Sequence, residues 1–322
     1  MQLVDRQFFF DTVKNFPQRH FSQTEAWVDA QTKGDWQKLL FVLDDVDAPH
    51  IACVAHSKNK FGLRTLLIEG ECFVGDVNSK LIKSFYEAFA TLGYHLVVIN
   101  NHRPYETAYE IGLRQAGFLR PVGLFSVQLS SYIDLQQDIN FNSNWKRNIK
   151  KAQAFDLIFE PVDQVHPTDI HDFLTLYDEM RSMKQVEKPF DFNMLQRLLA
   201  SNNFQLFFVQ QAGFRIATIL IHANKVHAGL LYAATSKKAL ENAASFFMYS
   251  ELLSYLRSKE IQTFDMEMLA PSTTTTNSVF LFKNGIKGRY VTLNGEWLWT
   301  KQDSFKLLWY FIQKYIFKRT QI

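Results

Sequence analysis

Asp265, Glu267 and Lys283 have the residue types and spacing for proton transfer and charge stabilisation. Asp265 and Glu267 stand two apart in TFDMEML, which reads as a strand, so both carboxylates are expected on one face and Phe264, Met266 and Met268 on the other. Two carboxylates on one face can orient an attacking amine or accept its proton. The competing reading is a solvated strand face, or one structural carboxylate capping a loop. Lys283 follows the apolar run SVFLF and precedes Asn284-Gly285. A helix there would present one cation where the backbone turns, suited to a carboxylate or a tetrahedral oxyanion. A snorkelling surface lysine is the bland alternative.

A second constellation is basic. NWKRNIKKAQAFD reads as a helix capped by Asn144, and i to i+4 spacing gathers Lys146 with Lys150 and Arg147 with Lys151. Such a patch suits phosphates, although basic runs on helices are usually solvated faces. His222 and His227 flank the turn ANKV and are expected opposite each other across a hairpin turning at Asn224-Lys225. Cross-strand packing explains them best, because no third metal ligand is evident, and no metal site is expected. The two cysteines, Cys53 and Cys72, form no disulfide or metal framework and suit a reducing cytoplasm. Walker, dinucleotide, zinc-protease and nucleophile-elbow motifs are absent from the sequence.

The elements that must position these residues recur in order. From Lys38 come KLLFVLDD, HIACVAHS, LRTLLIEG, a helix SKLIKSFYEAFATLGY, the run HLVVIN and a short helix YETAYEIGLRQAGF. From Gln205 the order returns as QLFFVQQ, RIATILIHA, VHAGLLYAA, the helix NAASFFMYSELLSYLRSKE, TFDMEML and SVFLFKNGIKGR. Hairpin strands followed by a strand, helix, strand crossover give a mixed α/β sheet, antiparallel first and parallel across the helix. Two domains follow, 1–135 and 136–322, with the polar stretch QQDINFNSN as the linker and an amphipathic helix over residues 1 to about 20. A length of 322 residues, 47% hydrophobic content and 21% charged content fit two globular cores. A net charge of +3 permits an anionic substrate without demanding bulk nucleic-acid binding.

Five segments, FSQTEAW (21–27), NWKRNIKKA (144–152), GLLYAATS (229–236), TFDME (263–267) and FLFKNGIKG (280–288), resemble the Fem family of non-ribosomal aminoacyl transferases and its GNAT-like relatives. The resemblance implies two tandem GNAT-like acyltransferase domains, each a mixed sheet flanked by helices. It implies an aminoacyl group moved onto an amine of a nucleotide- or lipid-linked peptidoglycan or other cell-envelope precursor, with aminoacyl-tRNA as donor and no bound cofactor. By position Phe282 and Lys283 match the family's pair beside the acceptor peptide, and Tyr232 matches a tyrosine near the acceptor's phosphates. Asn242, Arg147, Lys150 and Lys151 complete the expected substrate contacts, the basic residues toward tRNA. The stretch DEMRSMKQVEKPF lacks the family's Thr and Arg pattern, Asn100 and Asn101 stand where relatives often carry an acid, and no helical-hairpin arm interrupts the second half.

An N-acyltransferase using acyl-CoA or another thioester on a small amine or sugar is the alternative, and a non-catalytic binding protein of the same fold is another. Against acyl-CoA, the turn TSKKALENAAS contains no glycine where pyrophosphate would meet bare backbone. The C-terminal segment DSFKLLWYFIQKYIFKRTQI mixes aromatics with cations and suits either a membrane interface or docking on the second domain. The expected location is cytoplasmic, with peripheral contact at the inner membrane face. At positions matching the second copy's site the first offers Ile68, Val98, Asn100 and Arg114, and is expected to serve as scaffold.

Overall fold

The computed structural model describes residues 1–16, 19–31, 38–60, 62–76, 78–120, 129–184, 190–269, 278–311 and 315. They form two compact units, Met1–Leu129 with Val291–Ile322, and Ser130–Tyr290.

The first unit begins with strand β1 (Gln2–Val4) and helix α1 (Arg6–Val13). The single N-terminal helix expected from sequence is thus shorter and preceded by a strand. The side chain of Asp5 accepts the Phe8 N–H and starts the helix there. After a 3-10 turn at Phe21–Gln23 come α2 (Glu25–Gln31), β2 (Lys38–Leu43), β3 (Ile51–Lys60), β4 (Leu63–Glu69), β5 (Cys72–Phe73), α3 (Ser79–Ala90), β6 (Leu96–Pro104) and α4 (Thr107–Gln115). In α3, Ile82, Phe85, Tyr86 and Phe89 lie on one helical stripe and are buried against the sheet. Each such side chain contributes about 2–3 kcal/mol of burial.

The second unit holds β7 (Leu129–Asp134), α5 (Ser143–Ala152), β8 (Leu157–Pro161), α6 (Pro167–Lys184), α7 (Phe192–Leu199), β9 (Phe204–Gln211), β10 (Phe214–Ala223), β11 (His227–Thr235), α8 (Lys237–Glu241), α9 (Ala244–Ser258), β12 (Thr263–Asp265) and α10 (Ser278–Asn284). The chain then returns to the first unit as β13 (Arg289–Thr300) and α11 (Asp303–Phe311). Met248, Tyr249, Leu252, Leu253 and Leu256 of α9 pack on the sheet as the stripe of α3 does in the first unit.

The sheet order is β1-β2-β3-β4-β6-β13 in the first unit, with β5 on β3, and β7-β12-β11-β10-β9-β8 in the second. In each, one pair is parallel, β4 with β6 and β11 with β12, and each is bridged by the apolar helix that the repeat places there. The closing strands are exchanged. β13, which follows the second copy, pairs with β6, and β7, which follows the first, pairs with β12. The division expected at residue 135 is therefore corrected, because residues 291–322 belong with the first unit.

Two local expectations also change. Asn142 caps α5, its Oδ1 accepting the Trp145 N–H at 2.9 Å, while Asn144 lies inside the first turn. β10 and β11 are joined through Asn224–Val226, so His222 pairs with Gly229 and His227 lies at the turn. Of the C-terminal segment, the described residues hold α11 over Asp303–Phe311, and Leu307, Leu308, Tyr310, Phe311 and Tyr315 are exposed. Lys314, Phe317, Lys318 and Arg319, and the side chains of Lys306 and Trp309, lie outside the described residues. No described helix is long and apolar enough to cross a membrane.

Candidate functional site

The parallel pair β11–β12 is three rungs long, His227 with Thr263, Ala228 with Phe264 and Gly229 with Asp265. Beyond Asp265 the chain leaves the sheet. Glu267 and Met268 adopt φ of +51° and +26°, left-handed conformations that cost side-chain-bearing residues about 1 kcal/mol or more each. Two side chains hold this turn. Asp265 Oδ1 accepts the Glu267 N–H at 2.8 Å and also the Ser130 hydroxyl. Lys283 Nζ donates to the carbonyls of Met266 at 2.7 Å, Glu267, and Met268 at 3.2 Å.

This geometry corrects the alternation read from TFDMEML. Met266 is fully buried with Phe264, but Met268 is 48% exposed and Glu267 swings toward β10. Its Oε1 lies 3.2 Å from His222 Nε2. Gly229 makes that reach available, since a Cβ there would stand 2.2 Å from His222 Nε2 and 3.0 Å from Glu267 Oε1. His227 lies 6.2 Å from the His222 ring, centroid to centroid, and 5.7 Å from the Tyr132 ring. Among the described residues no group of three or more His, Cys, Asp or Glu side chains can hold a metal ion.

The electrostatics follow from burial. Burial, and then the nearby Glu267 charge, push the Asp265 carboxyl up to about 6, against the hydrogen bonds from Ser130 and the Glu267 N–H. Burial lowers the Lys283 ammonium to about 8, opposed by the charges of Glu267 and Asp265. Burial also lowers His227, which favours its neutral imidazole, and raises the Tyr132 hydroxyl.

Asp265, Glu267 and Lys283 are thus brought together, with Lys283 directed at backbone carbonyls and not at an open anion site. Phe282 lies elsewhere, packed on Trp145, Phe246 and Tyr249 at ring distances of 4.6, 5.1 and 5.2 Å. Tyr232 meets Phe190 and Tyr177 edge-on at 4.6 and 6.2 Å. Asn242 is buried at the end of α8 and donates to Gln211 Oε1 at 2.8 Å. Arg147, Lys150 and Lys151 are exposed on α5, Arg147 bonding Asn144 within its own helix.

Sequence reading did not find Ser130, Tyr132 or the pairing of His222 with Glu267. Gly229 was the available signal. A glycine inside an otherwise apolar strand marks a close approach by another group.

No family model matches the chain, and no curated protein matches it. Solved structures do. The crystal structure of FemX aligns with a TM-score of 0.77 and 12% identity, covering 96% of this chain and 99% of that one. L-PGS from Bacillus licheniformis aligns at 0.65 with 15% identity over 98% of each chain. A tandem GNAT protein from the clavulanic acid biosynthesis pathway, solved without AcCoA, aligns at 0.52 with 8% identity over 91% of this chain and 93% of that one. At these identities the likeness is one of fold, and the chain has the mixed α/β architecture of FemX and the GNAT-like proteins.

Proposed function

We propose that the chain is a tandem GNAT-like acyltransferase that moves an acyl group onto an amine. The observation that carries the reading is the contact between His222 and Glu267 where β11 and β12 part, a place where α/β sheets take ligands. An imidazole oriented by a carboxylate can take the proton of an ammonium acceptor. The neutral amine then attacks the acyl carbon, and collapse of the tetrahedral intermediate expels the donor's thiolate or alkoxide, which takes up a proton. No covalent enzyme intermediate is needed. Asp265 and Lys283 act as positioning residues that hold the turn carrying Glu267.

Two donors fit. An acyl thioester used on a small amine or sugar is supported by the start of α9, where Ala243 has φ +55° and no side chain caps the helix, with Lys237 and Lys238 exposed at the start of α8 just before it. The likeness to a tandem GNAT protein supports it too. An aminoacyl-tRNA donor with a nucleotide- or lipid-linked cell-envelope acceptor is supported by the match to FemX over nearly both chains and by exposed Lys146, Arg147, Lys150 and Lys151. The apolar residues exposed on α11 suit a peripheral membrane contact for that acceptor.

The test offers the purified chain an amine panel with either acyl-CoA or aminoacyl-tRNA, with and without RNase. RNase-sensitive transfer selects the tRNA donor, and RNase-insensitive transfer from the thioester selects the other. A chain that binds amines but turns over neither donor is a binding protein of this fold, and the proposal fails.

A further inference from the structure

One end of the first unit's sheet is basic and carries an apolar helix. Where β4 and β6 begin, the Arg64 N–H donates to His95 Nδ1 at 3.0 Å, and the His95 N–H donates to the Arg64 carbonyl at 2.9 Å. On the other side of His95, the Lys301 N–H donates to its carbonyl at 2.9 Å. This last row of the sheet thus sets Arg64 and Lys301 on either side of one histidine. Lys58, opposite Thr65 one rung further in, adds a third cation. Arg64 and Lys301 are exposed and Lys58 is partly so, with the Arg64 guanidinium seated over the Tyr94 ring at 5.0 Å.

From this row the chain passes directly into α11. Phe305 roots the helix, its ring 5.1 Å from the His95 ring and packed on the cluster of Leu96, Val98 and Leu298. Leu307 and Phe311 stand four apart on one stripe, roughly half a turn round the helix from Phe305, with Tyr310 beside them. Leu307 is 65% exposed and Phe311 52%. The Tyr315 ring, also exposed, stacks on Phe311 with centroids 5.9 Å apart. α11 is therefore apolar on the face turned away from the sheet, where a helix docked on a globular unit ordinarily carries polar residues. Its acid, Asp303, lies in the first turn, away from that stripe.

We propose that α11 and the basic row beside it form a contact surface for an anionic phospholipid bilayer. The exposed stripe enters the boundary between headgroups and acyl chains, and Arg64, Lys301 and Lys58 meet the lipid phosphates. Tyr310 and Tyr315 suit that depth, each an apolar ring with a polar hydroxyl. No described helix can cross a membrane, so the contact lies on the surface. A second copy of the chain fits less well, because a twofold contact through α11 would bring the same cations together. Such a contact serves the lipid-linked acceptor proposed above and rests on that reading for its purpose, but needs neither donor nor acceptor to form.

Flotation of the full-length chain with vesicles of phosphatidylcholine, alone or mixed equally with phosphatidylglycerol, tests it. Affinity for the mixed vesicles should exceed that for the neutral ones about tenfold or more, the effect of two or three cations near an anionic surface. Leu307→Asp with Phe311→Asp should keep the circular dichroism of the wild type and weaken binding about a hundredfold or more. If that double variant does not fold, Leu307→Gln replaces it, with a loss of about tenfold expected. No flotation, equal flotation with neutral vesicles, or undiminished flotation of the folded variant would overturn the proposal. So would a wild-type dimer, seen by light scattering without flotation and abolished in the double variant, which would make a second copy the occupant. Because the vesicles carry no donor or acceptor, failure here leaves the transfer reading standing.

Discussion

His222 Nε2 lies 3.2 Å from Glu267 Oε1, and Gly229 is the residue across which they meet. A methyl group on Gly229 would occupy the space of the imidazole nitrogen, so Gly229→Ala must turn His222 away from Glu267. The backbone at 229 is not left-handed, which leaves the overlap as the main cost, on the order of 1–3 kcal/mol. Transfer should fall by about two orders of magnitude or more while the protein stays folded, as a positioned acid–base group is worth about two to four orders of magnitude. Steady-state kinetics beside a urea melt separates the two effects. Unchanged kcat/KM would remove His222 from the mechanism.

Lys283 predicts a pH signature. Its ammonium titrates near 8 in the folded chain, against an ordinary 10.5. Below about 8 both folded and unfolded chains hold the proton, and between about 8 and 10.5 only the unfolded chain does. The contribution of this group to stability therefore rises with pH across that window. Transfer should move the other way, falling above about 8 as the amine loses one of the N–H groups that hold the 266–268 turn. Lys283→Met should flatten both trends and lower transfer roughly a hundredfold, about 3 kcal/mol in activation free energy. Urea unfolding and kcat/KM at pH 7.5 and 9.5 check both arms.

The order of elements was legible because periodicity reports which face is buried. α3 and α9 carry apolar stripes at helical spacing, the run around Leu66 alternates as a half-buried strand does, and the short run around Ile219 is buried nearly throughout. The exchange of β7 and β13 was not legible, since nothing in either sequence says which parallel pair it will join. The turn at 266–268 was hidden for a different reason. TFDMEML alternates as a strand does, and a lysine seventeen residues after Met266 imposes the left-handed backbone that ends the alternation. The basic row beside α11 escaped because Arg64, His95 and Lys301, distant in sequence, meet only through the register of the sheet.

Asp265 should make the folded chain less stable as pH rises through the acid range. Its carboxyl is held up near 6 in the folded chain against 3.8 ordinarily, so between about 4 and 6 the folded state binds the extra proton. Stability from this group is highest below that window and is lost as pH climbs through it. In Asp265→Asn the amide oxygen can still accept from Ser130 and Glu267, and no charge is buried. The variant should gain on the wild type between pH 4 and pH 7 by on the order of 2 kcal/mol. Paired urea melts at those two pH values measure the difference, and a variant that loses ground instead would show that the carboxylate is favourably held.

Gln23 joins the helix side of the first unit to its sheet through two backbone groups. Its amide bridges the Val54 N–H and the Glu69 carbonyl, and the side chain is 1% exposed. Gln23→Leu would leave both groups buried, although Ser22 still serves the carbonyl, so a cost of about 2–3 kcal/mol is expected, chiefly from the orphaned N–H. Gln23→Glu keeps an acceptor for Val54 but faces the Glu69 carbonyl with an oxygen, and should cost at least as much at neutral pH. Amide exchange at Val54 reports the bridge directly. Fast exchange in Gln23→Leu with slow exchange retained at Ala55 would locate the damage at that one rung, whereas slow exchange at both would show that β3 and β4 can close on each other without the glutamine.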